Sequence, residues 1–407
     1  MSQRPASPNP TAQPQRKPEP QSQPSAGTQP SSPQTAPELF AKAQQLDKTG
    51  QQDAALAHYR FCIALDPTHG QALFRAANLL VISNQVSASL PYYHVLTTLK
   101  PDYNPARINY AIALKRLGRL DQALSQLETV VDQDAQSLHA WQQLADVYRT
   151  LGQPMKSQEA YRQWAALDPK DPKPRFMIEA VGHSLAPDGE APGRAPDEYV
   201  VAYFDSYAHS FDDHAASIMR YQVPGLFKRL VHHFGYPGLS DVAALDLGCG
   251  TGLCGEFLAP FCARLDGIDL SPAMIAKAQA KGYYSRLVDD DLLPGMKGLP
   301  NHDYDLVLAG DVFCYMGDLA PVFEAAHGRL APDGRFMFTV EAMTYLEVDQ
   351  GASDYMLRDS GRYAHHRDYL HQVAEAAGFT VELSGYETLR LEFGKPVAGW
   401  LLVLKPE

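Results

Sequence analysis

The stretch Ala244-Leu-Asp-Leu-Gly-Cys-Gly-Thr-Gly252 joins an apolar run to three glycines at alternate positions. This pattern predicts a β-strand, a sharp turn and a following helix, because glycine lets the backbone bend tightly and approach a ligand closely. Asp246 lies near the carboxyl end of that strand, at the edge where open α/β sheets bind ligands. The stretch therefore predicts both the type of sheet and the position of its binding site.

Apolar segments of strand length continue along the chain and alternate, for the most part, with helical segments. They cover residues 242–247, 265–269, 286–289, 306–310, 335–340, 380–383 and 397–404. Such alternation predicts a doubly wound α/β sheet with helices on both faces. We assign this sheet to a domain over residues 198–407.

Acids also stand at the ends of the second and third predicted strands. Asp269 is placed to accept hydrogen bonds from both hydroxyls of a ribose, and either Asp290 or Asp291 can accept from an adenine amino group. Met274 belongs to the helix that follows the second strand, and it can pack on the adenine. These positions predict a ligand that contains a nucleoside.

Two nucleoside-containing cofactors compete for this site. The stretch Gly250-Thr-Gly-Leu-Cys-Gly255 is a literal GxGxxG, which by itself could indicate NAD. That fingerprint should begin directly after the strand, at Gly248, and its third glycine would then fall on Leu253. Asp246 and its acidic surroundings instead suit a ligand that carries an ammonium and a sulfonium group.

Around these residues, over about 199–405, the sequence resembles the class I S-adenosylmethionine-dependent methyltransferases. More narrowly, it resembles bacterial methyltransferases preceded by tetratricopeptide repeats, whose flanking motifs are similar to residues 203–214 and 360–365. The resemblance implies a seven-stranded, Rossmann-like sheet of order 3-2-1-4-5-7-6 with the seventh strand antiparallel. It also implies an enzyme with S-adenosyl-L-methionine as its cofactor.

The resemblance further implies a set of residues around the cofactor. Asp246 would contact the methionine amino group and Asp269 the ribose. The full set is Asp246, Gly248, Cys249, Gly250, Gly252, Asp269, Leu270, Met274, Asp290, Asp291, Leu292 and the lid residue Tyr207.

Methyl transfer needs alignment of the reacting atoms, and it needs a base only if the acceptor carries a proton. The candidate catalytic residues are Asp311 and His365; the alternatives are a structural role for Asp311 and a solvated position for His365. Arg362 can bind a carboxylate of the acceptor or pair with Asp359 or Asp368 at the surface. No Cys/His cluster has zinc-ligand spacing, so we expect no metal.

Residues 38–173 repeat with a period of 34, in four blocks that begin at Glu38, Ala72, Ala106 and Ala140. A turn residue recurs at Gly50, Asn84, Gly118 and Gly152. The blocks resemble the tetratricopeptide repeat, which predicts an all-α superhelix. We expect a protein partner on its concave face; the alternative is an array that only stiffens or dimerises the enzyme.

The remaining segments have biased compositions. Residues 1–37 hold ten prolines and seven glutamines, which predicts a disordered arm, either a solvated tail or a docking arm. Residues 174–197 are rich in proline and glycine and are interpreted as a linker.

Charge and composition narrow the function. The chain has 407 residues and a net charge of −12, and residues 174–407 hold 18 basic against 33 acidic side chains. This charge argues against a nucleic-acid substrate. The sequence has no apolar run near the roughly 20 residues of a membrane span, no secretory signal and no disulfide framework among its five cysteines, so we expect a cytoplasmic protein.

The leading hypothesis is methyl transfer to a small-molecule or carrier-bound acceptor, with the repeats recruiting a partner. One alternative is a protein methyltransferase whose repeats bind the substrate protein. Another is a scaffold that binds the cofactor without catalysis.

Overall fold

The computed structural model describes residues 35–185, 192–239, 241–349, 354–392 and 394–407. The described residues up to Arg75 belong to one compact unit and those from Ala76 to Glu407 to a second. Residues 1–34 of the predicted disordered arm lie outside the described residues. The helical region begins at Ala36, two residues before the predicted boundary, since Ala36 and Pro37 occupy the first turn of the first helix.

Helices account for the whole repeat region. They are α1 (Ala36–Lys48), α2 (Gln52–Leu65), α3 (Gly70–Ile82), α4 (Val86–Leu99), α5 (Asn104–Arg116), α6 (Leu120–Gln133), α7 (Leu138–Thr150), α8 (Pro154–Leu167) and α9 (Pro172–Leu185). The four predicted turn residues Gly50, Asn84, Gly118 and Gly152 have φ values of 76°, 60°, 72° and 67°. This left-handed conformation ends the first helix of each pair and explains why glycine or asparagine recurs there. The predicted repeat of paired helices is confirmed.

The ninth helix corrects the predicted linker. α9 covers Pro172–Leu185, so the first half of the segment 174–197 is a helix packed on α8. Pro172 and Pro174 both lie in its first turn, where the backbone N–H groups have no partner within the helix and proline is tolerated. The prolines therefore mark the start of a helix rather than its absence.

The remaining helices and strands form the predicted α/β domain. The helices are α10 (Asp197–Tyr207), α11 (Phe211–Ser217), α12 (Val223–His233), α13 (Gly255–Leu258), α14 (Pro272–Lys281), α15 (Leu292–Lys297), α16 (Ala320–His327), α17 (Tyr345–Asp349) and α18 (Arg367–Ala376). The strands are β1 (Val242–Leu247), β2 (Cys262–Asp269), β3 (Arg286–Asp289), β4 (Tyr304–Ala309), β5 (Leu330–Ala342), β6 (Tyr355–Leu357), β7 (Tyr363–His365), β8 (Phe379–Glu392) and β9 (Lys395–Pro406).

The main sheet has the predicted order. Strands β3, β2, β1, β4 and β5 are parallel neighbours, β9 lies antiparallel to β5, and β8 lies antiparallel to β9. With the strands numbered as predicted, β8 is the sixth and β9 the seventh, which gives 3-2-1-4-5-7-6. The short hairpin of β6 and β7 was not predicted. It pairs with Glu341 and Ala342 of β5, beyond the point where β4 ends.

The sheet is apolar on both faces. Leu245 and Val307 pack into one buried cluster with α16 and α18, whereas Ala244 and Leu306 pack into another with α12. Successive side chains of a strand point to opposite faces, so a sheet with two covered faces needs continuous apolar strands. Among the helices that the structure describes, none has both the length and the apolar character to cross a membrane.

Candidate active site

A cavity lies at the carboxyl ends of the parallel strands, where its total empty space of about 1230 Å³ includes the part that opens to solvent. Open α/β sheets bind their ligands at this edge. Its walls come from the ends of β1, β2 and β4, from the lid helices α10 and α11, and from the segment after the β6 strand. We call the part beside β1 to β3 the cofactor half and the part beside β4 and the lid the acceptor half.

The glycine turn after β1 opens the cofactor half. Gly250 has a φ of 55°, and a Cβ built there would meet no atom within 4 Å, because the position faces the cavity. Gly248 and Cys249, both expected to contact the cofactor, also line the cavity. Gly252 does not belong to this lining: a Cβ there would stand 3.0 Å from the ring of Tyr284, so this glycine serves packing. The expected contact of Gly252 with the cofactor stays a prediction.

Asp246 supplies a buried acid at the end of β1. Its side chain lines the cavity and is 2% exposed. The hydroxyl of Tyr284 donates to its carboxylate over 2.7 Å. Burial raises the pKa of Asp246 to about 7, so the group favours a neighbouring cation that would stabilise its ionised form. Tyr284 was not predicted, because its spacing from Asp246 carries no recognisable signal.

Asp269 occupies the end of the neighbouring strand β2. It accepts hydrogen bonds from the backbone N–H groups of Gly250, over 2.8 Å, and Ser271, over 2.9 Å. These bonds tie the glycine turn to the start of α14. Burial raises the pKa of Asp269 to about 6. Leu270 and Met274 line the cavity beside it.

The acids after β3 differ in position. Asp291 and Leu292 line the cavity, and the Asp291 carboxylate forms an ion pair of 2.6 Å with Arg194. Burial raises the pKa of Asp291, but the hydrogen bond and charge of Arg194 outweigh it and leave the pKa lowered. Asp290 is exposed, and its carboxylate accepts from the backbone N–H of Asp291. Of the two predicted alternatives, the structure thus places Asp291 at the cavity.

Aromatic rings enclose the acceptor half. Tyr203, Phe204, Tyr207 and Phe211 of the lid line the cavity, and Tyr315 faces them from the loop after β4. Tyr207 and Phe211 are 5.4 Å apart, and Phe204 and Tyr315 are 5.5 Å apart, both in edge-to-face geometry. Tyr207, which was expected to contact the cofactor, lines the cavity in this aromatic wall, and the wall suits flat, apolar molecules.

Two acids hold the lid closed. Asp205 of α10 accepts from the hydroxyl of Ser271 over 2.6 Å and from the backbone N–H of Ala273 over 3.2 Å. Asp212 of α11 accepts from the hydroxyl of Thr251 and pairs with Lys281 over 2.6 Å. The lid is therefore fastened to the turn and the helix that form the cofactor half.

Asp311 lies on the cavity directly after β4 and has a left-handed φ of 57°. Its backbone N–H donates to Thr339 over 2.9 Å, and its carboxylate pairs with Arg390 over 2.5 Å. Arg390 also pairs with the buried carboxylate of Glu341. Burial raises the pKa of Asp311 despite Arg390, which favours the ability of this carboxylate to accept a proton.

His365 was predicted to be a catalytic residue, but it lies in the interior of the domain. Its side chain is 0% exposed, does not line the cavity, and has Nε2 3.1 Å from the carbonyl oxygen of Gly317. Its ring stacks on Tyr369 at 6.0 Å. Burial lowers the pKa of His365 to about 4. This position on β7, in the interior, corrects the expectation that His365 reaches the acceptor.

Arg362 lines the cavity, but its partners differ from those expected. It pairs with Glu392 over 2.6 Å and lies 3.9 Å from Glu341. The expected surface partners were Asp359 and Asp368. Arg194 and Arg390 also line the cavity and were not predicted. Both lie far along the chain from the strand ends that they join, so no local pattern could have found them. The described residues contain no group of three or more His, Cys, Asp or Glu arranged to hold a metal ion.

Comparisons with known proteins identify similar domains and sequences. A methyltransferase domain family matches residues 245–336, and two tetratricopeptide repeat families match residues 80–144 and 138–171. The chain is 30% identical over 185 residues to the ubiquinone biosynthesis O-methyltransferase of Azorhizobium caulinodans, a match covering 40% of this chain and 72% of that relative.

Other similarities are more partial. The chain is 32% identical over 98 residues to nodulation protein S of Sinorhizobium fredii, a match covering 23% of this chain and 45% of the relative, so it spans less than half of that protein's length. A solved structure, 1,6-didemethyltoxoflavin-N1-methyltransferase of Burkholderia thailandensis, matches with a TM-score of 0.40 and 21% identity, over 54% of this chain and 93% of that one.

The sheet order and the acids at its strand ends define a domain of the class I methyltransferase type. The chain belongs to the methyltransferase family and carries tetratricopeptide repeats ahead of its methyltransferase domain.

Proposed function

We propose that the protein transfers a methyl group from S-adenosyl-L-methionine to a small-molecule or carrier-bound acceptor held in the acceptor half of the cavity. One observation carries this proposal: acids from three adjacent strand ends, Asp246, Asp269 and Asp291, share a cavity with the aromatic lid and Asp311. The lining of this cavity extends from the strand ends of the cofactor half to the aromatic rings of the acceptor half, so each half can face one of the two reactants.

The residues of the cofactor half fit the chemical groups of this cofactor. The carboxylate of Asp246 suits the ammonium of the methionine part, and that of Asp269 suits two ribose hydroxyls. Leu270, Met274 and Leu292 offer apolar surface for the adenine. The open space at Gly250 leaves room for the methionine backbone. When bound, the cofactor supplies an electrophilic methyl group on a sulfonium.

The acceptor half supports a flat acceptor that gives up a proton. The rings of the lid and Tyr315 enclose the acceptor, and Asp311 receives its proton as the methyl group is transferred. A relative named ubiquinone biosynthesis O-methyltransferase favours a hydroxyl as the accepting group. The buried pair of Arg390 and Glu341 holds the carboxylate of Asp311 in place.

We assign the repeats to the recruitment of a protein partner. Polar side chains bridge the first helices of successive repeats: Lys115 donates to Gln143 over 2.6 Å, and Lys173 lies 4.0 Å from Asp146. Such a row offers hydrogen bonds and charges to a bound segment. We place this activity in the cytoplasm, in keeping with five free cysteines.

The decisive experiment is methyl transfer by the full chain. Calorimetric titration with S-adenosylmethionine and S-adenosylhomocysteine tests the cofactor half. Incubation with methyl-labelled cofactor and size-fractionated cell extract then tests the acceptor. Label in small molecules supports the proposal, label in protein indicates a protein methyltransferase, and binding without transfer indicates a scaffold.

A further inference from the structure

The last repeat helix touches the methyltransferase domain at a glycine. Phe176 and Met177 of α9 are buried, at 2% and 3% exposure. Gly361 lies in the turn between β6 and β7, where a Cβ would stand 2.9 Å from the sulfur of Met177 and 3.2 Å from the ring of Phe176. The turn and the helix are therefore in close van der Waals contact.

This turn carries one wall residue of the acceptor half. The backbone N–H of Gly361 donates to the carbonyl of Arg358, and that of Arg358 donates to the carbonyl of Arg362, both over 2.9 Å. The turn is thus closed on itself, and Arg362 follows Gly361 directly. The position of Gly361 against α9 consequently sets where the guanidinium of Arg362 enters the cavity and meets Glu392.

The same helix also supports the lid. The ring of Phe176 lies 4.6 Å from that of Tyr199 in α10. Tyr199 stacks on Tyr203 at 6.3 Å, and Tyr203 lies 6.1 Å from Tyr207. These three tyrosines recur every four residues and form one stripe along α10. The stripe begins at the repeat helix and ends on the cavity.

A charged residue of the repeats, Arg149, also interacts with the methyltransferase domain. Burial lowers the pKa of Arg149 in α7, but electrostatic interactions with Tyr161 and Asp146 of the repeats, and to a lesser extent with Asp359 and Glu392, outweigh burial and leave this pKa raised. Glu392 is the ion-pair partner of Arg362. The Nε of Arg149 is buried and has no hydrogen-bond partner among the described residues. Arg149 therefore contributes to the electrostatic environment of a cavity residue without reaching the cavity.

We propose that α9 is a structural part of the acceptor half, in which Phe176 and Met177 are positioning residues for Arg362 and for the tyrosine stripe of the lid. The repeat array then does more than recruit a partner: it sets the shape of the space where the acceptor binds. The role in methyl transfer rests on the proposed function, whereas the effect on the turn and the lid does not.

The cofactor half serves as an internal control for changes in α9, because α9 does not touch its acids. Its acids stand on β1 and β2 and on the loop after β3, whereas the side chains that α9 touches belong to the turn and to α10. Removal of the Phe176 ring leaves a void that the turn and the first part of α10 can enter. We expect the acceptor half to loosen while the cofactor half keeps its geometry.

The test uses the full chain and hydrogen exchange, which needs no acceptor. In Phe176→Ala we expect exchange to rise at least about tenfold at residues 355–365 and 199–207, as for segments whose local opening becomes easier. The affinity for S-adenosylhomocysteine should stay within about twofold. Phe176→Leu should restore protection. Leu127→Ala, a 1% exposed core position of the third repeat, serves as the control and should leave both segments protected.

A double-mutant cycle tests the contact itself. Gly361→Ala brings a methyl group to 2.9 Å from the sulfur of Met177, so Met177→Ala should relieve part of its effect on exchange and on methyl transfer. Strictly additive effects, or unchanged exchange in Phe176→Ala, would overturn the proposal. Equal exchange in Leu127→Ala would overturn it as well. If the full chain failed to bind S-adenosylhomocysteine, the proposed function would fail and the exchange result would still decide this inference.

Discussion

The two halves of the cavity are built from very different lengths of chain. The cofactor half comes mainly from residues 246–292, in which each strand ends beside the previous one. The acceptor half joins side chains from Tyr203 to Arg390, across the lid, the loop after β4, the β6–β7 turn and β8. In the cofactor half, the acids come together because consecutive parallel strands end at the same edge of the sheet. In the acceptor half, the side chains are distant in sequence and meet only when the whole domain has folded. Changes in the two halves should therefore separate cofactor binding from methyl transfer.

The largest effect is expected from Gly250→Val in the cofactor half. The φ of 55° strains a β-branched residue, and its methyl groups would fill the open space over the turn. We expect no measurable binding of S-adenosylhomocysteine by calorimetry. Gly118→Val is a matched control, because Gly118 has a φ of 72° and an open surrounding but belongs to a repeat turn. Normal binding by Gly250→Val would remove this turn from the cofactor site.

In the acceptor half, Asp311→Asn should lower methyl transfer by about 10²- to 10⁴-fold, because the amide cannot receive the acceptor's proton. Cofactor affinity should change little. The rate is measured with labelled cofactor and the active extract fraction. Asp333→Asn, at an exposed acid paired with Lys405, should behave as the unmodified protein. An active Asp311→Asn would show that transfer needs no base at this position.

Asp269→Ala should weaken cofactor binding by about 30- to 150-fold, or roughly 2–3 kcal/mol, through the loss of charge-assisted hydrogen bonds to the ribose. Calorimetric titration measures this loss, and circular dichroism checks that the domain stays folded. Asp333→Ala removes an exposed acid that pairs with Lys405 and does not line the cavity, and it is the control. Equal affinities of the Asp269→Ala and unmodified proteins would contradict the assignment.

The smallest effect concerns pH. Since burial raises the pKa of Asp246 to about 7, this carboxyl is mostly protonated at pH 6 in the free protein. Binding of the ammonium group needs the ionised form, so affinity for S-adenosylhomocysteine should fall about tenfold from pH 8 to pH 6. Titrations at both pH values measure this change.

The unliganded protein should show the opposite trend in stability. A carboxyl with a raised pKa stabilises the fold below its unfolded value and loses that contribution as pH rises through the folded value, here from about 4 to 7. Asp246→Asn should reduce both dependences, and Asp269, whose pKa burial raises to about 6, should account for the remainder. A pH-independent affinity of the unmodified protein would argue against ionisation of Asp246 in binding.

The sequence predicted those features that repeat locally. Hydrophobic periodicity predicted the seven strands of the main sheet. The recurring turn residues of the repeats and the acids at three strand ends mark where helices and strands end. Asp269 could be placed at the cavity because parallel strands end at one edge, whereas the choice between Asp290 and Asp291 needed the structure.

The features that were missed depend on tertiary contact. Arg390 reaches Asp311 across 79 positions, and Arg194 reaches Asp291 across 97. His365 belongs to a flanking motif and was predicted to reach the acceptor, but the pairing of β7 with β5 places its side chain inside the domain. The prolines of α9 marked a helix start because its first turn needs no N–H donors.

The fastening of the lid has a consequence for turnover. A cofactor bound in the proposed site would lie beneath α10 and α11, so its exchange would require the bonds of Asp205 and Asp212 to open. The pair between Asp212 and Lys281 is partly exposed, and dissolved salt weakens such pairs. Residence time of the spent cofactor is thereby linked to ionic strength, so a slow catalytic cycle at low salt would reflect release rather than chemistry.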